Sequence, residues 1–441
     1  MKLTRNLILI LVSFPLFFGW PGPSSKEQKP NIILVVIDTL RADHLPFYGY
    51  EKNTAPLLAD LANQSIIFEN AYTTSSFTTP ATASIFTSVF PLEHGLTINT
   101  YFEKFNQEEK SEILITQIPK TLTTLSEFIK KAGYQTYGIS HNINICKNSG
   151  FARGFDIFKT FSYENLDHGA RHLNHEIQDI WVDHVDRSRP FFFYIHYMDP
   201  HTPYHQKHPW YKDTGNKLKN DIAAYDSEIS YLDRYIRSLS QLLEWQDNTI
   251  VFITADHGEG FLEHGSKGHG DTLFQEVLHV PLMVYYPQKF PQGLRIPANV
   301  NTMDIYPTIC ELLGEIPDKK FRGRSLLKYF KKNSTISNER YMYAHVIPYY
   351  NKKQHPPRKS VIYKEWKYIE WEDEKRLYNL TNDPGERSNL NKAHPEISGS
   401  LQNKLSRFFI SCNPYQNEYI SIPHTPDQKY VDQLRALGYL H

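Results

Sequence analysis

The stretch IILVVIDT, residues 32–39, is the strongest fold signal in the chain. An unbroken apolar run from Ile32 to Ile37 is followed at once by the carboxylate of Asp38. Such a run is typical of a strand buried on both faces, as in a parallel sheet covered by helices. It therefore predicts a central strand whose carboxyl end carries a charged side chain.

Similar apolar runs recur along the chain at 191–197 (FFFYIHY), 249–254 (TIVFIT) and 281–286, with amphipathic helical stretches such as 223–239 between them. This alternation predicts an α/β fold, a large α/β/α domain with a mostly parallel central sheet. From about residue 333, short strand-like runs and turns predict a smaller C-terminal α+β subdomain. The expected divisions are an N-terminal segment (1–25), the large domain (29–332) and the C-terminal subdomain (333–441).

The composition excludes several classes of protein. The 441 residues carry 48 Lys and Arg against 48 Asp and Glu, a net charge of zero that argues against a nucleic-acid binder. The 3 cysteines are too few for a disulfide scaffold or a Cys-rich zinc module. The 40% hydrophobic content is sufficient for a large core and argues against global disorder.

The N-terminus resembles an export signal. Lys2 and Arg5 precede an apolar run from residue 7 to residue 20, which is short for a membrane-spanning helix. Residues 1–25 are therefore expected to be a signal peptide, or else an uncleaved N-terminal anchor. The protein is expected to be periplasmic or secreted, with a membrane tether as the alternative.

Several polar residues lie near or just past the carboxyl ends of predicted strands. They are Asp38, His196, His201, Asp256 and His257. In open α/β sheets, ligands bind outside the carboxyl ends of the strands. Each residue taken alone could be an ordinary loop residue, but together they predict one crevice.

A further segment, SFTTPATAS at 76–84, predicts the start of a helix. Pro80 is tolerated only in a first turn, which puts Thr78 at or next to the N-cap. The start of a helix favours an anion. Simple capping by the Thr78 hydroxyl is the alternative.

Taken in order, these segments resemble the sulfatase family of the alkaline-phosphatase superfamily. The matching stretches are VVIDTLRADHLPFYGY (35–50), SFTTPATASIFTSVFPLEHG (76–95), HYMDPHTPY (196–204), ITADHGEGFLEHG (253–265), GHGDTLFQEVLHVPLMV (268–284) and LYNLTNDPGERSNL (377–390). The resemblance implies a hydrolase or transferase of sulfuric or phosphoric esters that uses one divalent cation. It also implies an α/β/α domain with a smaller C-terminal subdomain.

The resemblance assigns two sets of residues. The set expected to bind the cation is Asp38, Thr78, Asp256 and His257. The set expected to act on the ester is the nucleophile Thr78 with His196, His201 and His269. Oxygen ligands suit Ca, Mg or Mn, and His257 leaves Zn open.

The sequence also departs from the family pattern. Sulfatases that use formylglycine carry Cys or Ser where this chain has Thr78, and threonine cannot become the aldehyde. Ala81 and Thr82 replace the Ser and Arg of the family motif. The first ligand position reads Asp38-Thr39, where many sulfatases have paired aspartates.

These departures bear on the substrate. A hydrated aldehyde can expel sulfate by returning to the aldehyde, whereas a sulfate ester on Thr78 has no such route for releasing sulfate. A phosphoryl-threonine is hydrolysed or transferred more readily. Chemistry therefore favours phosphoesters, while the overall resemblance favours sulfate esters. A transferase of the phosphoglycerol or phosphoethanolamine type and a catalytically inactive, anion-binding member remain alternatives.

The expected partner is an anionic ester and not a nucleic acid. A sulfated or phosphorylated glycan, a lipid headgroup and a small molecule all fit. Glu259, Glu263 and His264 flank the Asp256-His257 pair. They are either groups that orient ligands or solvated loop residues.

Overall fold

The structure is a computed structural model that describes residues 28–97, 101–105, 111–161, 169–332, 336, 339–350 and 353–415. The predicted export segment, residues 1–25, lies outside this part of the chain. Within it, no helix combines the length and the apolar character that crossing a membrane requires.

The strands and helices alternate through the first three quarters of the chain. The strands are β1 (Asn31–Ile37), β2 (Ser65–Tyr72), β3 (Tyr101–Phe105), β4 (Ser111–Ile115), β5 (Gln135–Ser140), β6 (Ile157–Thr160), β7 (Phe191–Tyr197), β8 (Thr249–Thr254), β9 (Gly260–Phe261), β10 (Lys267–Gly268), β11 (His279–Tyr285), β12 (Leu294–Asn301), β13 (Met342–Val346), β14 (Tyr349–Tyr350), β15 (Lys353–Gln354), β16 (Arg358–Tyr363), β17 (Trp366–Trp371) and β18 (Glu374–Asn379). The helices are α1 (Pro56–Ala62), α2 (Thr78–Thr87), α3 (Pro91–His94), α4 (Leu125–Lys131), α5 (Gly169–Asp183), α6 (Lys217–Leu242), α7 (Gln275–Leu278), α8 (Ile305–Leu312) and α9 (Pro395–Ser411).

The central sheet has eight strands in the order β12-β2-β11-β8-β1-β7-β5-β6. The predicted strand at 32–37 is β1, which lies between β7 and β8 and pairs with both in parallel. Strand β11 is antiparallel to both of its neighbours, β2 and β8. The sheet is therefore mostly parallel, as the sequence predicts.

Helices cover both faces of this sheet. Alternate residues of β1 enter different cores, because successive side chains of a strand point to opposite faces. Leu34 belongs to a core that includes Phe86 of α2, and Val35 belongs to one that includes Tyr225 of α6. The predicted α/β/α architecture is confirmed.

A second, four-stranded antiparallel sheet follows, in the order β13-β16-β17-β18. One face packs against α9, with Val361 and Leu405 in the same apolar cluster. The other face packs against α7 of the first domain and the residue before it, where Ile369 meets Phe274 and Leu278. This is the expected C-terminal α+β unit, and we propose the division between residues 332 and 333.

A buried ion pair fixes the contact between the two sheets. The Nζ atom of Lys367, on β17, lies 2.8 Å from Oε1 of Glu386, and neither side chain is exposed. The other oxygen, Oε2, accepts a hydrogen bond from the backbone N–H of Gln275, at the start of α7. Burial raises the pKa of Glu386, although Lys367 opposes this effect.

Replacing Lys367 by Met leaves the Glu386 carboxylate buried without its cation. We expect the free energy of unfolding to fall by about 3–5 kcal/mol, the usual cost of breaking a buried pair from one side. Urea denaturation followed by circular dichroism measures this loss. The control Lys367→Met/Glu386→Gln buries no unpaired charge and keeps an acceptor for Gln275, so it should recover part of the loss. A single variant as stable as the wild type would contradict the prediction.

Candidate active site

The site forms where the parallel strands end. Strands β1, β5, β7 and β8 run in the same direction, so their carboxyl ends share one edge of the sheet. The backbone N–H of Asp38 donates to the carbonyl of Tyr197, 2.9 Å away. The N–H of His141 donates to the carbonyl of His196 at 3.1 Å. The first residues after the strands are thereby held side by side.

Asp38, Asp256 and His257 form the cluster at this edge that could hold a metal ion. Each offers one ligand atom, these atoms lie within 4.8 Å of one another, and all three residues are buried. Asp38 Oδ1 and Asp256 Oδ2 have no hydrogen-bond partner among the described residues. Buried carboxylate oxygens without a partner suit a divalent cation that prefers oxygen ligands.

The two carboxylates are electrostatically unequal. Burial and the charge of Asp38 raise the pKa of Asp256. Burial also opposes ionisation of Asp38, but its hydrogen bond with His196 and the nearby His201 and His257 hold its pKa below the usual range. Two buried like charges repel each other, and a bound cation would relieve this repulsion.

His257 presents one ring nitrogen to this cluster. Its Nδ1 lies 2.9 Å from the carbonyl oxygen of Gly258, which can only accept, so Nδ1 carries the proton. The lone pair is then on Nε2, which lies 3.8 Å from Asp38 Oδ1 and 3.5 Å from Asp256 Oδ2. This orientation is the one that a metal-binding histidine needs. The donor set therefore fits the predicted cation.

Thr78 reaches the same point from a different segment. Helix α2 begins at Thr78, with Phe77 as its N-cap and Pro80 in its first turn, and no described side chain caps this end. The helix start therefore agrees with the sequence analysis. Thr78 Oγ1 is buried and lies 3.2 Å from His257 Nε2. The hydroxyl thus stands beside the carboxylate pair and at a helix end that favours anions.

His196 contacts a predicted ligand. The hydroxyl of Tyr194 lies 2.7 Å from its Nδ1, and its Nε2 lies 3.1 Å from Asp38 Oδ2. The carboxylate must accept from Nε2–H, so Nδ1 accepts from the tyrosine. In this arrangement His196 orients Asp38, whereas the sequence analysis expects it at the ester.

Asn142 is a site residue that the sequence analysis missed. Its Nδ2 donates to Asp38 Oδ2 at 2.6 Å and lies 3.5 Å from Thr78 Oγ1. It follows the end of β5 by two residues. The rule that identified the other strand-end residues could have found it, but a neutral amide after a less apolar strand is inconspicuous.

His201 and His269 complete the cluster. The two rings lie 5.0 Å apart between centroids, and the His269 ring lies 4.4 Å from that of His257. Glu259 is fully buried, and its Oε1 lies 3.0 Å from His269 Nδ1. The sequence analysis left two roles open for the residues that flank Asp256 and His257. In the structure, Glu259 contacts the site, and Glu263 pairs with Arg41.

Comparison with known families agrees with this geometry. Residues 30–315 match the family model described as Sulfatase. The chain belongs to the sulfatase family. Residues 265–410 also match the model described as N-sulphoglucosamine sulphohydrolase, C-terminal.

Individual sulfatases and related enzymes are similar over most of the chain. An ulvan-active sulfatase of Formosa agariphila is 22% identical over 92% of this chain and 86% of its own length. A Δ4,5-hexuronate-2-O-sulfatase of Bacteroides thetaiotaomicron is 22% identical over 83% of this chain and 85% of its own. The phosphonate monoester hydrolase of Agrobacterium radiobacter superposes with a TM-score of 0.72 at 16% identity, covering 91% of this chain and 99% of that one. The last similarity supports the alkaline-phosphatase-like fold alone.

Replacing His196 by Phe keeps a ring but removes the donor to Asp38. We expect the affinity for Ca²⁺ or Mn²⁺ to fall by roughly 10–100-fold, as for other groups that orient metal ligands. Isothermal titration calorimetry on chelator-treated protein measures this change. The control Tyr197→Phe removes a hydroxyl that donates to Asn174, away from the cluster, and should bind metal like the wild type. Equal affinities for all three proteins would refute the assignment.

Proposed function

We propose that this protein is a divalent-metal-dependent ester hydrolase in which Thr78 is the nucleophile, and that phosphoesters are its preferred substrates. The observation that carries the proposal is the position of Thr78 Oγ1. It lies 3.2 Å from His257 Nε2, at the start of α2, and beside Asn142. A hydroxyl in such surroundings is suited to attack an anionic ester.

The cation site in this proposal consists of Asp38, Asp256, His257 and the Thr78 hydroxyl. A bound divalent cation would neutralise charge on the ester and lower the pKa of the hydroxyl. The unpartnered oxygens of Asp38 and Asp256 support this assignment. Ca, Mg and Mn fit the carboxylate ligands best, and Zn fits His257.

The protein's own groups would then have separate roles in the reaction. Thr78 releases its hydroxyl proton to solvent water, and Oγ1 forms a bond to the phosphorus as the bond to the leaving oxygen breaks, giving a covalent phosphothreonine. The start of α2 and the Nδ2 amide of Asn142 stabilise the negative charge of the transferred group. His201 and His269 line the same cluster and can give a proton to the leaving oxygen. Water then cleaves the phosphothreonine.

Sulfate-ester hydrolysis is the second candidate. Relatives that match most of the chain are named as sulfatases acting on ulvan or on hexuronate 2-O-sulfate. They favour a sulfated glycan as substrate. Thr78 favours phosphate, because it cannot form the aldehyde hydrate through which formylglycine releases sulfate. An anionic glycan ester satisfies both considerations, and we propose export to the periplasm or the exterior, where such polymers occur.

Paired aryl phosphodiesters, phosphomonoesters and sulfates distinguish these candidates, with the metal removed by chelation and then restored. We expect metal-dependent cleavage of a phosphoester, with kcat reduced at least roughly 10³-fold in Thr78→Ala. Thr78→Ser keeps a hydroxyl and should retain part of the rate. Acid quenching followed by peptide mass spectrometry should find phosphate on Thr78.

The matched control is Thr87→Ala, at the other end of α2, whose hydroxyl donates to the Ala83 carbonyl. It should leave kcat unchanged. Faster cleavage of the sulfate through Thr78 would reverse the substrate order. Turnover that requires an added alcohol would make the protein a transferase. Metal binding without any turnover would indicate an anion-binding role.

A further inference from the structure

A buried carboxylate contacts the outermost histidine of the site. The side chain of Glu259 is 0% exposed and that of His269 is 8% exposed, with Oε1 3.0 Å from Nδ1. His269 is therefore the more exposed member of the pair, and Glu259 is the buried one. An ester would approach from the histidine side.

Contacts on both sides hold this pair in place. Arg41 Nη1 donates to the backbone carbonyl of Glu259 at 2.9 Å, and Arg41 itself is buried. On the other side, a Cβ at Gly270 would lie 2.2 Å from the Phe77 ring. The backbone next to His269 therefore packs against the residue that precedes Thr78. The backbone at His269 cannot move towards Phe77, because no space remains there.

The pair also determines which ring nitrogen faces the ester. An ionised carboxylate can only accept hydrogen bonds, so His269 Nδ1–H must donate to Glu259. Nε2 is then the nitrogen that can hydrogen-bond to a substrate. The ring lies 4.4 Å from that of His257, whose Nε2 is adjacent to Thr78. The His269 ring therefore lies beside the residue that contacts Thr78.

We infer that Glu259 is a positioning residue that holds His269, protonated at both ring nitrogens, so that Nδ1–H donates to Glu259 while Nε2–H donates a hydrogen bond, and finally its proton, to the leaving oxygen. This inference rests on the proposed function. As the bond from phosphorus to the leaving oxygen breaks and the Thr78 Oγ1 bond forms, that oxygen takes the proton from Nε2. The contribution grows with the negative charge that develops on the leaving oxygen.

A leaving-group series tests this role. Glu259→Gln is compared with wild type on aryl phosphodiesters that range from 2,4-dinitrophenyl to phenyl, in saturating metal. We expect kcat on the phenyl ester to fall roughly 10²–10⁴-fold, with little change on the dinitrophenyl ester and in KM. The matched control is Glu263→Gln, in the same loop, which contacts Arg41 and not His269. Its effect should be the same for every leaving group.

A second measurement does not depend on turnover. Nitrogen-15 NMR of histidine-labelled, metal-free wild-type protein reports whether each ring nitrogen of His269 carries a proton. We expect a proton on Nδ1 in the wild type, and in Glu259→Gln a mixture of forms with and without a proton on Nδ1.

A uniform loss of kcat across the leaving groups, no loss at all, or a wild-type His269 without a proton on Nδ1 would overturn the inference. If the wild type cleaves no ester, or if Thr78→Ala keeps full activity, it is the proposed function that fails. The NMR result then decides the contact between Glu259 and His269 by itself.

Discussion

The parallel pairing of β1 with β7 on one side and β8 on the other is the constraint on which the rest of the structure depends. It brings the ends of distant chain segments together, so that Asp38 and Asp256 face each other in the interior. Two buried carboxylates in one cluster repel each other, and the raised pKa of Asp256 records that repulsion. The same pairing that stabilises the sheet therefore creates a centre of negative charge suited to a cation.

The remaining site residues come from segments that pack onto this edge. The end of β2 leads into α2, whose first residue brings a hydroxyl to the carboxylates. The loop after β8 returns over the cluster and adds Glu259 and His269. The amide of Asn142 and the ring of His196 hydrogen-bond to one oxygen of Asp38, and the other oxygen has no partner among the described residues. The hydrogen-bond network thus orients the Asp38 carboxylate so that its second oxygen faces the cluster.

Local patterns in the sequence predict some of this arrangement and not the rest. Apolar runs followed by a charge identified Asp38 and Asp256, because the amino-acid sequence indicates both the buried strand and the place where it ends. Such runs do not indicate the direction of a strand, so nothing in the sequence distinguished the antiparallel β11 from its parallel neighbours. For Glu259 the sequence left a ligand-orienting group and a solvated loop residue both open, since its contacts come from distant segments such as that of Arg41, 218 residues away. Asn142 lacked both a charge and a strongly apolar strand before it.

The packing of the C-terminal sheet on residues 273–278 has a consequence for the order of events during synthesis. The His269 loop leads directly into this segment, which is fixed by Ile369 and by the buried Glu386 carboxylate. Ribosomes make the chain from its N-terminus, so Asp38, Thr78, Asp256 and His257 emerge long before the residues that fix the loop. The candidate site therefore becomes complete only after the second sheet has been made and has packed against this segment.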